Sequence, residues 1–224
     1  NINMEIKAGE LFALLGMNGA GKTTTIKMLS CLTPPTSGDA YLLGDSILNN
    51  PQKVKEKINV SPQETAVARN LSVKENLELI ARIYGSDKKT AKIKAEEMIM
   101  IFNLTEVAKA KTKTLSGGFQ RRLSIAMSLI SNPKILFLDE PTLGLDVIAR
   151  RELWSVIKKL KTEMTIVLTT HYLEEVEALA DRVGIMAKGE LKATGTVSEL
   201  NFLAQVDKFE DAFIKLATDM EVNI

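Results

Sequence analysis

Two glycine-containing loops in this chain carry residue types that bind phosphate. The first, GMNGAGKT, follows the apolar run LFALL and precedes a stretch of helical character. Its spacing, a glycine, four residues and then Gly-Lys-Thr, predicts a P-loop in which Lys22 reaches the β- and γ-phosphates and the Thr23 hydroxyl binds Mg²⁺. The glycines let main-chain amides approach phosphate oxygens, and the helix end stabilises negative charge. The candidate nucleotide contacts are Gly16, Met17, Asn18, Gly19, Ala20, Gly21, Lys22, Thr23 and Thr24.

The second loop, LSGG, places Ser116, Gly117 and Gly118 directly before a basic amphipathic run. Amides and a hydroxyl at the start of a helix suit a γ-phosphate, because the first amides of a helix lack partners within it. The alternative is that Ser116 only caps the helix. Since the P-loop already provides for one triphosphate, the second loop needs an explanation of its own.

Four polar residues are expected to follow strands and to meet the P-loop at one edge of a sheet. Asp139 and Glu140 come after the apolar run ILFL. A carboxylate at Asp139 can hold Mg²⁺, and Glu140 can orient and deprotonate an attacking water. His171, the only histidine, follows TIVLTT and is expected to touch the γ-phosphate and to help hold Glu140 and the water. The amide of Gln63, after INVSP, is expected to contact Mg²⁺ and the attacking water.

Strand and helix signals alternate at both ends of the chain, which predicts an α/β fold with a mostly parallel sheet. From Glu64 to Ser131 the strand signal disappears, and Ser72 with Glu75 predicts a capping box at the start of a helix. We therefore expect a helical unit inserted into an α/β core within a single domain, 1–224. The expected ranges are 1–63 and 132–200 for the nucleotide-binding core, 64–131 for the helical unit and 201–224 for a C-terminal helix.

Composition and missing motifs restrict the class of protein. The net charge of the 224 residues is +1, which gives no bulk electrostatic case for nucleic acid. No run of residues approaches the ~18 apolar residues of a membrane span. The guanine-reading pattern Asn-Lys-x-Asp is not in the sequence, which weakens the GTPase interpretation. Kinases and motor ATPases remain open at this point.

Six motifs together resemble those of ABC-transporter ATP-binding subunits. In order they are similar to the Walker A motif (GMNGAGKTT), the Q-loop (Gln63), the signature (LSGGFQRRL), the Walker B motif (ILFLDE), the D-loop (LGLD) and the H-loop (His171). The segments LDEPTLGLDVIARRELW and THYLEEVEALADRVGIMAKGELKATGT, with the tail FEDAFIKLA, look most like the branch that exports drugs, antibiotics and polysaccharides. The resemblance implies a P-loop NTPase (RecA-like) core with a mostly parallel sheet, a small antiparallel β region and an inserted α-helical subdomain.

The resemblance also implies a function for the second glycine loop. In this family two nucleotide-binding domains meet head to tail, and the signature of one closes over the ATP held by the other. Ser116, Gly117 and Gly118 would then contact the partner's ATP, and Asp146 of the D-loop would lie at the contact.

The implied cofactors are ATP and Mg²⁺. The implied partners are a second nucleotide-binding domain, identical or related, and a membrane-spanning permease, with no nucleic acid. The implied activity is ATP hydrolysis that drives transport, in a peripheral subunit at the cytoplasmic face of the membrane. The alternatives are a soluble ABC ATPase that acts on DNA or ribosomes and a small-molecule kinase, which has no use for a signature.

Three departures from the family pattern stand in this sequence. The aromatic residue that stacks on adenine normally lies further upstream than this chain extends. Val147 replaces the proline that often follows the D-loop aspartate, and Phe119 precedes Gln120 in the tail of the signature.

Overall fold

A six-stranded sheet forms the centre of the computed structural model, which describes residues 2–218. The strands are β1 (Leu11–Leu15), β2 (Tyr41–Leu42), β3 (Asp45–Ser46), β4 (Ile58–Ser61), β5 (Ile135–Asp139), β6 (Thr165–Thr170), β7 (Arg182–Ala187) and β8 (Glu190–Gly195). The order in the sheet is β4-β5-β6-β1-β7-β8. Neighbouring strands run parallel except β7 and β8, and β2 and β3 form a separate antiparallel pair. The predicted α/β class with a mostly parallel sheet and a small antiparallel region is confirmed.

Nine α-helices surround this sheet within the described residues. They are α1 (Lys22–Leu29), α2 (Pro51–Lys57), α3 (Val73–Ile83), α4 (Lys88–Ile101), α5 (Gly117–Leu129), α6 (Val147–Leu160), α7 (Leu173–Leu179), α8 (Val197–Ala204) and α9 (Phe209–Thr218). Between β4 and β5 the chain forms α3, α4 and α5 with two short 3₁₀ helices, Thr105–Val107 and Thr112–Thr114, and no named strand. The inserted segment is therefore helical, while its exact limits as a unit, 64–131, stay a prediction.

Strand β1 divides the core into two apolar layers, because successive side chains of a strand point to opposite faces. All five of its residues are buried. Leu11, Ala13 and Leu15 pack into the layer that holds the apolar faces of α3 to α9. Phe12 and Leu14 pack into a smaller layer with α1, α2 and the β2–β3 pair. Both faces of the sheet are thus covered, as a continuous apolar strand requires.

The start of α3 has the predicted capping box. The Ser72 hydroxyl accepts a hydrogen bond from the Glu75 amide, and the Ser72 amide donates to the Glu75 carboxylate. The helix buries Val73 and Leu77 on its inner face. Tyr84, which follows the last residue of α3, is exposed.

The C-terminal region differs from the single helix expected over 201–224. Two helices, α8 and α9, lie there, and α8 begins at Val197 behind a capping box of Thr196 and Glu199. The chain turns between them at Gln205, whose φ of +56° ends α8. The rest of that prediction, residues 219–224, lies outside the described residues. Within 2–218, no helix combines the length and the apolar character that crossing a bilayer requires.

Candidate nucleotide site

The P-loop joins the central strand β1 to the start of α1. Gly16 begins the turn, and a side chain there is excluded because an added Cβ would lie 2.4 Å from the main-chain oxygen of Met186. Helix α1 then starts at Lys22 without a side-chain cap. The first amides of a helix have no partners within it, so this helix start is suited to bind an anion.

Lys22 is buried and points back across the loop. Its Nζ donates to the main-chain oxygen of Gly16 at 2.7 Å and lies 3.2 Å from Oε1 of Glu140. Only 5% of Lys22 and 7% of Glu140 is exposed, so each charge depends on the other for compensation. A phosphate-binding cation and a candidate general base therefore form one buried ion pair.

Asp139 is the last residue of β5, and its carboxylate is hydrogen-bonded to the P-loop. Its Oδ1 accepts hydrogen bonds from the hydroxyls of Thr23, at 3.1 Å, and Thr169, at 2.5 Å. Thr169 was not predicted as a site residue. The available signal was a buried polar residue at the end of the apolar strand β6, and its meaning depended on knowing that β5 and β6 are neighbours.

Glu140 has a backbone conformation that residues other than glycine rarely adopt. Its φ is +47°, and a buried non-glycine residue in this region carries strain that commonly accompanies a functional site. Its amide donates to the Thr169 hydroxyl at 3.0 Å. This turn places Oε2 of Glu140 2.6 Å from Nδ1 of His171. Because an ionised carboxylate only accepts, His171 donates through Nδ1.

A cavity of about 410 Å³ brings most of the predicted residues together. It is lined by Asn18, Gly19, Ala20, Gly21, Lys22, Thr23, Thr24, Gln63, Glu140, Leu143 and His171. A larger cleft of about 1,470 Å³ lies against the β2–β3 pair and contains none of the predicted catalytic residues. The smaller cavity is therefore the candidate site.

Seven predicted residues do not line this cavity: Gly16, Met17, Asp139, Ser116, Gly117, Gly118 and Asp146. Ser116, Gly117 and Gly118 form the start of α5, where Ser116 and Gly117 are exposed. Asp146 caps α6, and its carboxylate accepts from the amides of Ile148 and Ala149 at 2.9 Å. Asp146 thus has a local structural role, while its place at a contact with a second cassette stays a prediction.

The hydroxyl of Ser116 does not cap its helix, although the residue holds the N-cap position. Gly117 has a negative φ, and an added Cβ would meet no atom within 4 Å among the described residues. The fold of this chain therefore requires neither a hydroxyl at Ser116 nor the absence of a side chain at Gly117.

Two buried charged residues behind the cavity were not predicted, Arg121 in α5 and Glu175 in α7. Glu175 is fully buried and accepts a hydrogen bond from Nε1 of Trp154 at 3.1 Å. Burial raises the pKa of the Glu175 carboxyl, and the hydrogen bond from Trp154 partly opposes that shift. Burial also lowers the pKa of Arg121 to about 10, which leaves it charged at neutral pH.

A family model described as "ABC transporter" matches residues 1–143. The chain belongs to the ABC transporter family. It is an ATP-binding cassette, the ATP-hydrolysing unit of such transporters. The cavity is accordingly the candidate ATP site of this cassette.

Known proteins similar to this cassette include two curated transporter components. The linearmycin resistance ATP-binding protein LnrL of Bacillus subtilis is 44% identical over 89% of this chain and 64% of its own length. The human phospholipid-transporting ATPase ABCA3 is 41% identical over 88% of this chain and 12% of its own length. The cassette therefore spans less than two thirds of the length of these relatives.

A solved structure shows the same fold. The dimeric structure of a post-hydrolysis state of the ATP-binding cassette MJ0796, bound to ADP and Pi, is 28% identical, with a TM-score of 0.79. The match covers 88% of this chain and 89% of that chain.

Proposed function

We propose that this cassette hydrolyses ATP as one half of a head-to-tail pair and thereby drives an exporter. The observation that carries the proposal is the contrast between its two phosphate-binding loops. The P-loop meets Asp139 and Glu140 within the same chain. The signature residues Ser116 and Gly117 are exposed and serve no need of their own fold. A nucleotide held by a second cassette is the ligand that these residues fit, as the dimer of the similar cassette supports.

The residues present fit Mg²⁺. The Thr23 hydroxyl, which lines the cavity, lies 3.1 Å from the Asp139 carboxylate, and hard oxygen donors are the ligands that Mg²⁺ prefers. Thr23, Asp139 and the amide of Gln63 would hold the ion together with phosphate oxygens. When bound, Mg²⁺ neutralises charge on the β- and γ-phosphates.

Hydrolysis requires a water to attack the γ-phosphorus while the bond to the β–γ bridging oxygen breaks. Glu140 takes the proton of that water, because its carboxylate is held at the cavity wall and is the group suited to general base catalysis. His171 holds Oε2 of Glu140 through Nδ1. Lys22 and the P-loop amides bind the phosphates and stabilise the charge that moves onto the leaving ADP.

At the proposed contact between the two cassettes, the Ser116 hydroxyl and the amides of Gly117 and Gly118 donate to the γ-phosphate held by the partner. Asp146 lies at the same contact. The symmetric arrangement buries two nucleotides at one isologous interface.

The exporter assignment is supported by the sequence likeness to the exporter branch and by the names of the similar proteins, which refer to resistance to linearmycin and to transport of phospholipid. The cassette would act at the cytoplasmic face of a membrane through a membrane-spanning permease, and the permease would select the substrate. A soluble ABC ATPase that acts on DNA or ribosomes is the competing function.

Mixed dimers test the proposal directly. Lys22→Ala damages the P-loop, and Ser116→Arg damages the signature, so each variant alone should be inactive. A mixed dimer contains one chain of each variant. In the head-to-tail arrangement, one of its sites combines both changes and the other site contains neither. Because half of randomly mixed dimers are mixed, the mixture should recover about a quarter of the wild-type ATPase rate per cassette. If mixing restores no activity, the head-to-tail arrangement is wrong.

The transporter part needs a separate measurement on the native, full-length protein. We expect the tagged protein to sediment with membranes and to co-purify with a single polytopic membrane protein that alters its ATPase rate. Stimulation of the ATPase by DNA or ribosomes instead, with no membrane association, would favour the competing function.

A further inference from the structure

Arg121 connects the signature helix, α5, to two backbone segments of the candidate ATP site. It lies in α5, five positions after Ser116, and only 4% of it is exposed. Its guanidinium donates to four main-chain oxygens. They belong to Pro62, Gln63 at 3.2 Å, Asp139 at 2.8 Å and Pro141 at 2.9 Å. These oxygens lie on the two segments that carry Gln63 and the Asp139–Glu140 pair.

The bonds of Arg121 are directed at the backbone and not at a counter-charge. Among the described residues, no carboxylate oxygen lies within ion-pair distance of its guanidinium. A buried guanidinium without such a partner is costly unless its donors are satisfied. Its rigid, planar fork is suited to hold several acceptors in fixed positions at once. Arg121 therefore fixes the relative placement of two backbone segments that are far apart in sequence.

Arg122, the next residue, offers a close comparison. It is also buried, with 7% exposed, and it pairs with Glu152 at 3.3 Å. Its guanidinium also lies 4.5 Å from the centre of the Phe119 ring. All of these contacts lie away from the ATP cavity. Two adjacent buried arginines of one helix thus differ in whether they touch the site.

We propose that Arg121 is a positioning residue that keeps Gln63 and the Asp139–Glu140 turn in register with the signature helix. The inference rests on the proposed function, in which the start of α5 closes on the partner's nucleotide. Arg121 thus fixes the water-activating residues of its own site relative to the loop that contacts the partner's ATP.

Arg121→Lys and Arg122→Lys, each in the full chain, separate positioning from packing. Lysine keeps the charge but cannot bridge four acceptors. We expect Arg121→Lys to lower kcat about 10- to 100-fold, since a small misplacement of catalytic groups has effects of that size. The dissociation constant for ATP, measured by calorimetry, should stay within about threefold of wild type, because the P-loop contacts are unchanged. Arg122→Lys should keep kcat within about threefold, even if both variants lose similar thermal stability.

A double-mutant cycle with Gln63→Ala gives the readout that a purely structural role would not change. If Arg121 acts through Gln63, the loss of kcat caused by Arg121→Lys should shrink in the Gln63→Ala background. Additive losses, or equal losses of kcat in Arg121→Lys and Arg122→Lys, would overturn the inference. If Arg121→Lys does not fold, Arg121→Gln replaces it in the same cycle.

The proposed function can fail independently of this inference. Its failure appears with the intact Arg121, as the absence of recovery in mixed dimers of Lys22→Ala and Ser116→Arg. If those mixtures recover activity and Arg121→Lys behaves like Arg122→Lys, only the positioning role is wrong.

Discussion

The P-loop and the signature of this cassette both lead into helices without a side-chain cap, but the chain uses the residues at these two helix starts differently. At the P-loop end the polar side chains are paired within the chain: Lys22 with Glu140, and Thr23 with Asp139. At the signature end the Ser116 hydroxyl leaves its own helix uncapped, and Gly117 borders open space. The first end is organised by its own fold, whereas we propose that the second serves a neighbouring cassette.

The largest expected effect concerns Glu140, at the P-loop end. Glu140→Gln removes the proton acceptor but keeps oxygen and nitrogen atoms beside Lys22 and His171. We expect kcat for ATP to fall roughly 10²–10⁴-fold, the usual range for loss of a general base, while ATP binding persists and the ATP-bound dimer accumulates. ATPase assays and size-exclusion chromatography with ATP measure the two effects.

Glu174→Gln is the matched control for that variant, because Glu174 is an exposed carboxylate paired with Arg150. It should leave the rate unchanged. Wild-type turnover by Glu140→Gln would remove Glu140 from the mechanism.

A second pair of variants compares a serine that caps a helix with one that does not. Ser116→Ala should lower turnover about 10- to 150-fold, the equivalent of 1.5–3 kcal/mol for a hydrogen bond to a charged group. The free energy of unfolding should change by less than about 0.5 kcal/mol. Ser72→Ala should show the reverse, a loss of about 1 kcal/mol in stability because its cap is lost, with normal turnover.

Urea unfolding and ATPase assays on both serine variants provide the measurements. A stability loss in Ser116→Ala equal to that in Ser72→Ala would mean that the signature serine serves its own fold.

The two adjacent signature glycines can be compared in the same way, because the chain's own atoms approach one of them and not the other. An added Cβ at Gly118 would lie 3.1 Å from Cβ of Ala149, whereas none of the described atoms lies within 4 Å of one at Gly117. Ala149 would have to shift by a few tenths of an ångström to accept Gly118→Ala, so this variant should be less stable than Gly117→Ala. Gly117→Ala should stabilise the fold by no more than the about 1 kcal/mol that this change gives inside a helix.

Turnover should nevertheless fall in the Gly117→Ala variant, because the added methyl group meets the partner's nucleotide. Thermal unfolding and ATPase rates measured side by side check both parts. Full turnover by Gly117→Ala would show that no ligand approaches this position.

The smallest expected effect concerns the buried carboxyl behind the ATP site. Because burial raises the pKa of Glu175 above its usual value of 4.5, the folded state binds its proton more tightly than the unfolded state. The contribution of this proton to the stability of the fold is complete below the usual pKa of the carboxyl. It is lost as the pH rises through the raised pKa. Glu175→Gln removes this loss, so its melting temperature should exceed that of wild type by a margin that grows as the pH rises above the usual pKa of 4.5.

Glu177→Gln, a change on the exposed side of the same helix, controls for the altered net charge. A margin that shrinks with rising pH, or one equal to that of Glu177→Gln, would contradict the expected shift at Glu175.

The features predictable from sequence were those encoded over short distances. The P-loop, the capping box of Ser72 and the helical segment between β4 and β5 each depend on residues close in the chain. The contacts of Thr169 and Arg121 were not predictable, because they require that β5 lies beside β6 and that α5 packs against β4 and β5. A polar residue within an apolar pattern indicates a partner but does not identify it.

The open space beside Gly117 has a consequence for cells that carry two versions of this gene product. A chain altered only there should fold normally, reach ordinary abundance and still load ATP at its own P-loop. It would therefore compete with intact copies for assembly and lower the output of every complex it enters. We expect such alleles to be dominant, whereas alleles that disrupt the central sheet should be recessive.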